Sequence, residues 1–402
     1  MNNSRTTFLL IALFGALISV PENLATQLHA QETKTYGPYS LKEWQHVVKS
    51  TDFTTLGQPA IVDGLIEIVV DEKAPWASRR QAAKTLGRIG QPAAKAVPIL
   101  KEILLNPGDD AVSTRLWVLS ALSLFKTVAR DVTPEVSELV LDSQQPHLIR
   151  VNAMETLGRV GKESELSLST FSTLLQSHAT QEDNSQNELR LAAADAVWIL
   201  GPSAAPLLPL LIENARDEWS AIRIASLTSI GEIGPPAAIA IPPLVDTLLF
   251  DDSDAVREVA ADSLGKIGSP AIPVLAKLQT DPELQVRLYV VRAISQMASQ
   301  TGVSKLLRIA LQDEADAVKI EAAQEVLNRE PDHALAQTIL LDALDNQDRR
   351  VRLNAYNAIY EQLPKSETLQ IELSFFAVSD SATKIEREAA IKLLKKFQFD
   401  QE

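Results

Sequence analysis

A basic residue set in a fixed apolar context recurs down this chain, and that recurrence constrains the fold more than any other feature. It is most legible at Val256-Arg257, followed by Ala260-Ala261, Leu264-Gly265 and Ile267-Gly268. With the basic residue as marker and an apolar residue seven positions later, the series runs Arg79/Leu86, Arg115/Leu122, Arg150/Leu157, Arg190/Val197, Arg223/Ile230, Arg257/Leu264, Arg287/Ile294, Lys319/Val326 and Arg352/Ile359. A tenth unit fits with Glu386/Leu393. Successive markers lie 36, 35, 40, 33, 34, 30, 32, 33 and 34 residues apart, the period of one helical hairpin with its connections. The 402 residues would otherwise suggest two or three globular domains; a register of this kind replaces them with a stack of about ten hairpins.

Counted from the marker, positions −1, +3, +7 and +10 carry apolar residues, so each marker segment has one apolar stripe of helical period. Small residues at +3 permit close helix approach. Glycine at +8 and +11, as in Leu86-Gly87-Arg88-Ile89-Gly90 and Leu264-Gly265-Lys266-Ile267-Gly268, reads as close packing followed by a left-handed C-terminal stop, with proline just beyond. Another helix precedes each marker helix: Pro59 to Val70, Pro98 to Asn106, Pro134 to Ser143, Leu168 to Ser177, Pro206 to Ala215, Pro243 to Phe250, Pro273 to Leu278, Val303 to Leu311, Ala334 to Leu344 and Thr368 to Val378. Their prolines stand early, where a missing amide donor costs least. Acidic turns such as Asp251-Asp252, Asp281-Pro282 and Asp313-Glu314 are placed to accept the unpaired amides of the next helix. One hairpin cannot bury its stripe alone, so neighbours must stack and the core becomes a line.

The pattern divides the chain into residues 1–30, 31–58 and 59–402. In the first, Arg5 supplies a positive start, Phe8 to Val20 is an apolar run broken only by Gly15 and Ser19, and Leu28-His29-Ala30 can end a cleavage site, which reads as a secretory signal. The run of 13 residues is short for a membrane span, which needs about 20. The expectation is therefore an exported, periplasmic or extracellular bacterial protein with no integral span after signal removal, an uncleaved anchor being the alternative. Residues 31–58 hold an amphipathic helix around Leu41 to Val48 and no marker, as an N-terminal cap would. The 40-residue interval contains the polar run His178 to Asn187, read as a lengthened loop and candidate hinge.

Composition narrows function. The net charge of −14, from 38 basic and 52 acidic residues, repels phosphate backbones, so a nucleic-acid partner is not expected. With no cysteine, disulfides, thiolate metal sites and thiol catalysis are excluded.

The recurring text, best kept at Arg79 to Gly90 and Arg257 to Gly268, resembles HEAT repeats, specifically the HEAT-like repeat named after phycobilisome lyases. The resemblance covers about residues 59 to 395. It implies an all-α, alpha-alpha superhelix, a curved array whose Arg-bearing helices line the concave face. It is poorly informative about function, since such repeats occur in scaffolds, adaptors, chromophore lyases and an iron-dependent hydroxylase. The hydroxylase relies on His-Glu pairs; His29, His46, His147, His178 and His333 are each followed by another residue, and that activity is disfavoured.

No catalytic constellation emerges, and no cofactor or metal is expected. The Gly-x-x-Gly pairs end helices where phosphate-cradling loops would begin one. The acidic turns lack the calcium-loop order, and no Gly-x-Ser-x-Gly turn places a nucleophile. The marker arginines read as a structural ladder with the acidic turns, whose exposed pairs contribute little. Positions +2, +5 and +9 lie opposite the buried stripe and make the candidate partner-binding row: Lys84, Arg88, Trp117, Glu155, Arg159, Asp195, Asp262, Tyr289 and Arg292. Its alternating signs suit a protein or peptide better than DNA or RNA. Trp117 and Tyr289 are candidate anchors if exposed. Three functions remain open: a non-catalytic protein-binding scaffold of the cell envelope, which leads; a lyase-like helper that binds a prosthetic group and delivers it to an acceptor protein; and a cryptic hydrolase or oxidoreductase, which would need a perturbed acid-base cluster in a pocket.

Overall fold

The computed structural model describes residues 34–176, 184–298, 301–362, 366–378 and 383–399. The signal segment and most of the polar run at 178–187 lie outside the described residues. Helices pack in sequential pairs, all-α apart from one small hairpin, and fall into two compact units, Met1–Ser167 and Leu168–Glu402.

In the first unit, β1 (Thr35–Tyr36) and β2 (Tyr39–Ser40) pair antiparallel ahead of α1 (Leu41–Val47) and α2 (Phe53–Leu56). Three pairs follow: α3 (Pro59–Val70) with α4 (Trp76–Ile89), α5 (Val97–Leu105) with α6 (Ala111–Phe125), and α7 (Thr133–Leu141) with α8 (His147–Val160). The division between units falls inside α9 (Glu165–Leu175). The second unit continues with marker helix α10 (Asn184–Val197), then α11 (Leu208–Asn214) with α12 (Ser220–Ile233), and α13 (Ile241–Phe250) with α14 (Asp254–Ile267). The remaining pairs are α15 (Ile272–Leu278) with α16 (Leu284–Ser295), α17 (Thr301–Ala310) with α18 (Asp316–Arg329), α19 (Ala334–Asp342) with α20 (Arg349–Gln362), and α21 (Glu367–Val378) with α22 (Lys384–Phe399). Helix α10 takes in the last four residues of the expected loop, Asn184 to Asn187.

The register is that of the sequence pattern. The +7 residues are buried throughout, from Leu86 and Leu264 at 0% exposure to Val326 at 7%. A Cβ on Gly87 would come within 2.5 Å of the Ala121 carbonyl oxygen, and one on Gly265 within 2.2 Å of that of Ala293. Marker helices therefore meet backbone to backbone where +8 is glycine. The +11 stop differs from the usual left-handed cap. Gly90, Gly201, Gly234 and Gly268 take φ of 71°, 57°, 73° and 79° with ψ of −127°, −134°, −142° and −134°, a corner almost closed to other residues. The chain there swings into a short 3-10 turn before the next pair. At Gly201 this breaks Ser185–Asn214, which by length and hydropathy alone would pass for a membrane span.

Two expectations about caps change. Of the acidic turns, Asp110 caps the following helix by accepting from the Ser113 amide at 3.3 Å, whereas Asp251, Asp281 and Asp313 accept from the amides of Ser253, Glu283 and Ala315, two residues on, closing side-chain turns. The tenth marker, Glu386, is half of a capping box, accepting from the Thr383 amide at 2.6 Å while its own amide donates to the Thr383 hydroxyl at 3.2 Å.

At the N-terminal end, Trp44 is buried against α3, where Gly64 leaves room for the ring, and its indole donates to the Tyr36 carbonyl at 3.0 Å. Lys34 and the Tyr36 hydroxyl both donate to Asp71, at 2.7 and 2.6 Å. These bonds hold the Asp71 carboxyl down at about 2, and burial with Asp71 alongside pushes the Tyr36 hydroxyl up.

Candidate functional site

Several marker arginines are joints between repeats. In the second unit, Arg223 donates to the carbonyls of Asp217 and Glu218 in the turn before its own helix, at 2.9 and 3.2 Å, and to Asp251 and Asp252 in the next repeat's turn, at 2.9 and 2.7 Å. Arg287 repeats this with the Asp281 and Pro282 carbonyls and with Asp313 at 2.8 and 3.1 Å; Arg190 reaches Asp217. The expected exposed ladder is thus a buried one: Arg190, Arg223 and Arg287 are 5%, 9% and 6% exposed. Spacing suggested pairing within one turn, but the long side chain spans to the next repeat. In the first unit the bonds go to uncharged groups, and of the three arginines Arg115 reaches the next repeat. Arg79 and Arg150 cap the first helix of their pair at the Val69 and Val140 carbonyls, at 2.9 and 2.8 Å, and Arg115 meets the Leu104 carbonyl and Gln145. Hydroxyls at +6 add rungs that the sequence reading missed: Thr156 donates to the Leu119 carbonyl, Ser229 to Ala194 and Ser263 to Leu227, each on the preceding marker helix.

The candidate row divides into charged members that reach solvent and aromatic ones that do not. Lys84, Glu155, Asp195 and Arg292 are exposed, and Arg88, Arg159 and Asp262 half-buried. Trp117 and Tyr289, expected as surface anchors, are 7% and 2% exposed. The reason is the preceding marker. The Arg79 guanidinium lies over the Trp117 ring, 5.9 Å from its centre, and Arg257 lies over Tyr289 at 6.0 Å, so position +2 faces an arginine one repeat back. The exposed aromatic of this region is Trp76, 64% exposed and stacked by Arg80. It borders a recess of about 470 Å³ that also takes in Lys84 and the edge of Trp117.

In the first unit, Arg159 pairs with Glu155 along one helix at 3.0 Å, and Arg88 lies over Phe53. In the second unit the row is tied across repeats. Lys266 meets Glu232 at 2.6 Å, and Arg292 forks onto Asp262 at 2.7 and 2.8 Å while also meeting Glu258 at 3.2 Å. Asp195 stands apart from these, its carboxyl raised by desolvation. The same offsets carried one repeat further, from Lys319, give Glu321, Gln324 and Asn328, which line one recess with Tyr289 and Arg292; that extension was available in the sequence. Desolvation pushes the Glu321 carboxyl up to about 6 against the pull of Arg292. His333 is accounted for locally, its Nδ1 accepting from the Ala336 amide at the start of α19. Among the described residues no three His, Asp or Glu side chains gather where they could hold a metal ion.

Comparison with known families places the text. Residues 241–328 match the model for HEAT repeats, and residues 78–106 match that for the PBS lyase HEAT-like repeat. The chain carries HEAT repeats in these segments. Among solved structures this HEAT-repeat chain is similar to importin beta, with 13% identity over 89% of this chain and 55% of that one at a TM-score of 0.46. It is also similar to the complex of CpcE and CpcF of phycocyanin lyase from Nostoc sp. PCC7120, with 17% identity over 66% and 94% of the two chains at a TM-score of 0.33. A third is human deoxyhypusine hydroxylase, with 16% identity over 67% and 97% at a TM-score of 0.29. The chain spans about half the length of the importin beta chain it matches. No curated protein matches the sequence.

Proposed function

We propose that this HEAT-repeat chain is a non-catalytic protein-binding scaffold whose partner lies along the marker-helix row, and that it works in the cell envelope after export. One observation carries the binding reading: charged side chains of neighbouring marker helices are tied to each other across repeats, as in Asp262 with Arg292 and Glu232 with Lys266. A row fixed in this way loses little side-chain freedom when a partner docks, and its mixed signs select for complementary charge. Export rests on the apolar run from Phe8 to Val20 and the small residue at Ala30.

The test is affinity capture from the exported fraction with the full chain and with a variant carrying Lys84→Glu, Arg159→Glu and Asp195→Lys. A protein retained by the parent and lost from the variant, with helical content and melting temperature unchanged, is the expected result. Retention of the same proteins by both overturns the row as the binding surface. Recovery of the chain from the cytoplasm alone, with its first 30 residues intact, overturns export.

A further inference from the structure

Within the second unit a recess of about 340 Å³ opens beside α16 and α18, lined by Glu258, Tyr289, Arg292, Glu321, Gln324 and Glu325 among others. Most groups in it are already matched. Arg292 is held by Asp262 and Glu258, and Glu325 is paired with Arg329 on its own helix. Gln324 donates to Glu361.

Two groups are not matched. Glu321 makes no hydrogen bond or ion pair among the described residues, and with Arg292 shared between two other carboxylates, acidic charge in the recess exceeds basic. The Tyr289 hydroxyl, on a side chain 2% exposed, lies beside the Gln285 side chain but makes no hydrogen bond of ordinary geometry. A buried polar atom left so is uncommon in a folded chain, and a carboxylate whose cationic neighbour Arg292 is already engaged by two others is the condition that a further cation relieves. Crowding by surrounding protein atoms raises the Glu321 carboxyl although its side chain reaches solvent. The carboxylates do not converge on a point as metal ligands do, and the recess has room for a long side chain.

We propose that this recess is a socket for the ammonium or guanidinium group of a basic side chain on the partner protein, with Glu321 as counter-charge and the Tyr289 hydroxyl as a hydrogen-bond acceptor. The proposal rests on the partner-binding reading above and adds the chemistry the partner must present. The Tyr289 ring is covered by Arg257, so the guest is held by oxygen atoms and not by the ring face. A carboxylate and a hydroxyl in a recess are worth more to a cation than the same groups in open water.

The experiment titrates the full chain with three capped tripeptide amides, Gly-Lys-Gly, Gly-Arg-Gly and Gly-Gln-Gly, and with spermidine, following binding by NMR. Parent, Glu321→Gln and Tyr289→Phe are compared, and helical content and melting temperature confirm that each variant is folded. Lysyl or arginyl peptide should bind and glutaminyl peptide should not. Glu321→Gln should weaken the cationic peptides about tenfold or more, a loss typical of a missing charged partner; Tyr289→Phe should weaken them a few-fold. Unchanged affinity in Glu321→Gln, equal binding of the neutral peptide, or no binding of either cationic peptide overturns the socket. Binding of spermidine alone overturns it in favour of a small-amine site. None of these outcomes bears on the capture experiment, whose substitutions lie outside the recess.

Discussion

At the scale of single residues, the carboxyl groups of Asp71 and Glu321 are displaced in opposite directions. Asp71 is held at about 2 by Lys34 and Tyr36, so its contribution to stability is present above the usual 3.8 and is lost as pH falls through the folded value. Glu321 is raised from 4.5 to about 6, chiefly by desolvation. The folded chain then binds more protons than the unfolded one between those values, and stability falls as pH rises through that window. Arg292 faces Glu321 from α16 and moderates the effect, while Glu258 and Asp262 share Arg292 with it. Glu321→Gln should therefore melt at a higher temperature than the parent at pH 7.5 and at nearly the same temperature at pH 4. An equal shift at both pH values would mean that the substitution acts through packing.

At the scale of the element, the +11 stop yields the clearest prediction. Lys126 stands where other repeats have glycine and takes φ of 53° with ψ of −137°, a conformation that costs a residue bearing a Cβ about 1–3 kcal/mol. Lys126→Gly should recover part of that, on the order of 1 kcal/mol, in urea unfolding. Gly265→Ala should act in the opposite sense, because the Ala293 carbonyl occupies the space of the added methyl. A destabilised Lys126→Gly would show that the lysine side chain contributes more than its backbone conformation costs. These features were legible beforehand because they are local. The stripe at −1, +3, +7 and +10, the glycine at +8 and the stop at +11 are set by periodicity within one helix. Position +2 was not legible, because whether Trp117 or Tyr289 meets water depends on the arginine of another repeat. For the same reason the reach of the arginines into the following repeat was not legible: offsets along one helix do not say how far a side chain reaches toward the next.

At the scale of the whole molecule, each described core is a line of hairpins, so damage should stay near its source. Leu264 is fully buried, and Leu264→Ala should cost roughly 2–5 kcal/mol through lost transfer energy and the cavity left behind. Hydrogen exchange should show that loss in α12 to α16 and leave α4 to α8 as protected as in the parent. Uniform loss of protection would mean that the stack unfolds as one body. The candidate row was legible as a set of offsets, and Asp262 and Arg292 were found that way. The recess that Arg292 lines was not, because it takes shape only when α16 and α18 lie side by side.

The buried arginines also determine where such a chain can be cut and rejoined. In the second unit Arg223 and Arg287 each grip their own turn and the acidic turn of the following repeat. The module that can be transplanted is thus not the hairpin that the eye picks out. A graft cut at hairpin borders would strand a guanidinium on one side of the junction and a carboxylate on the other, whereas a segment running from one arginine to just past the next acidic turn would carry its own counter-charge with it.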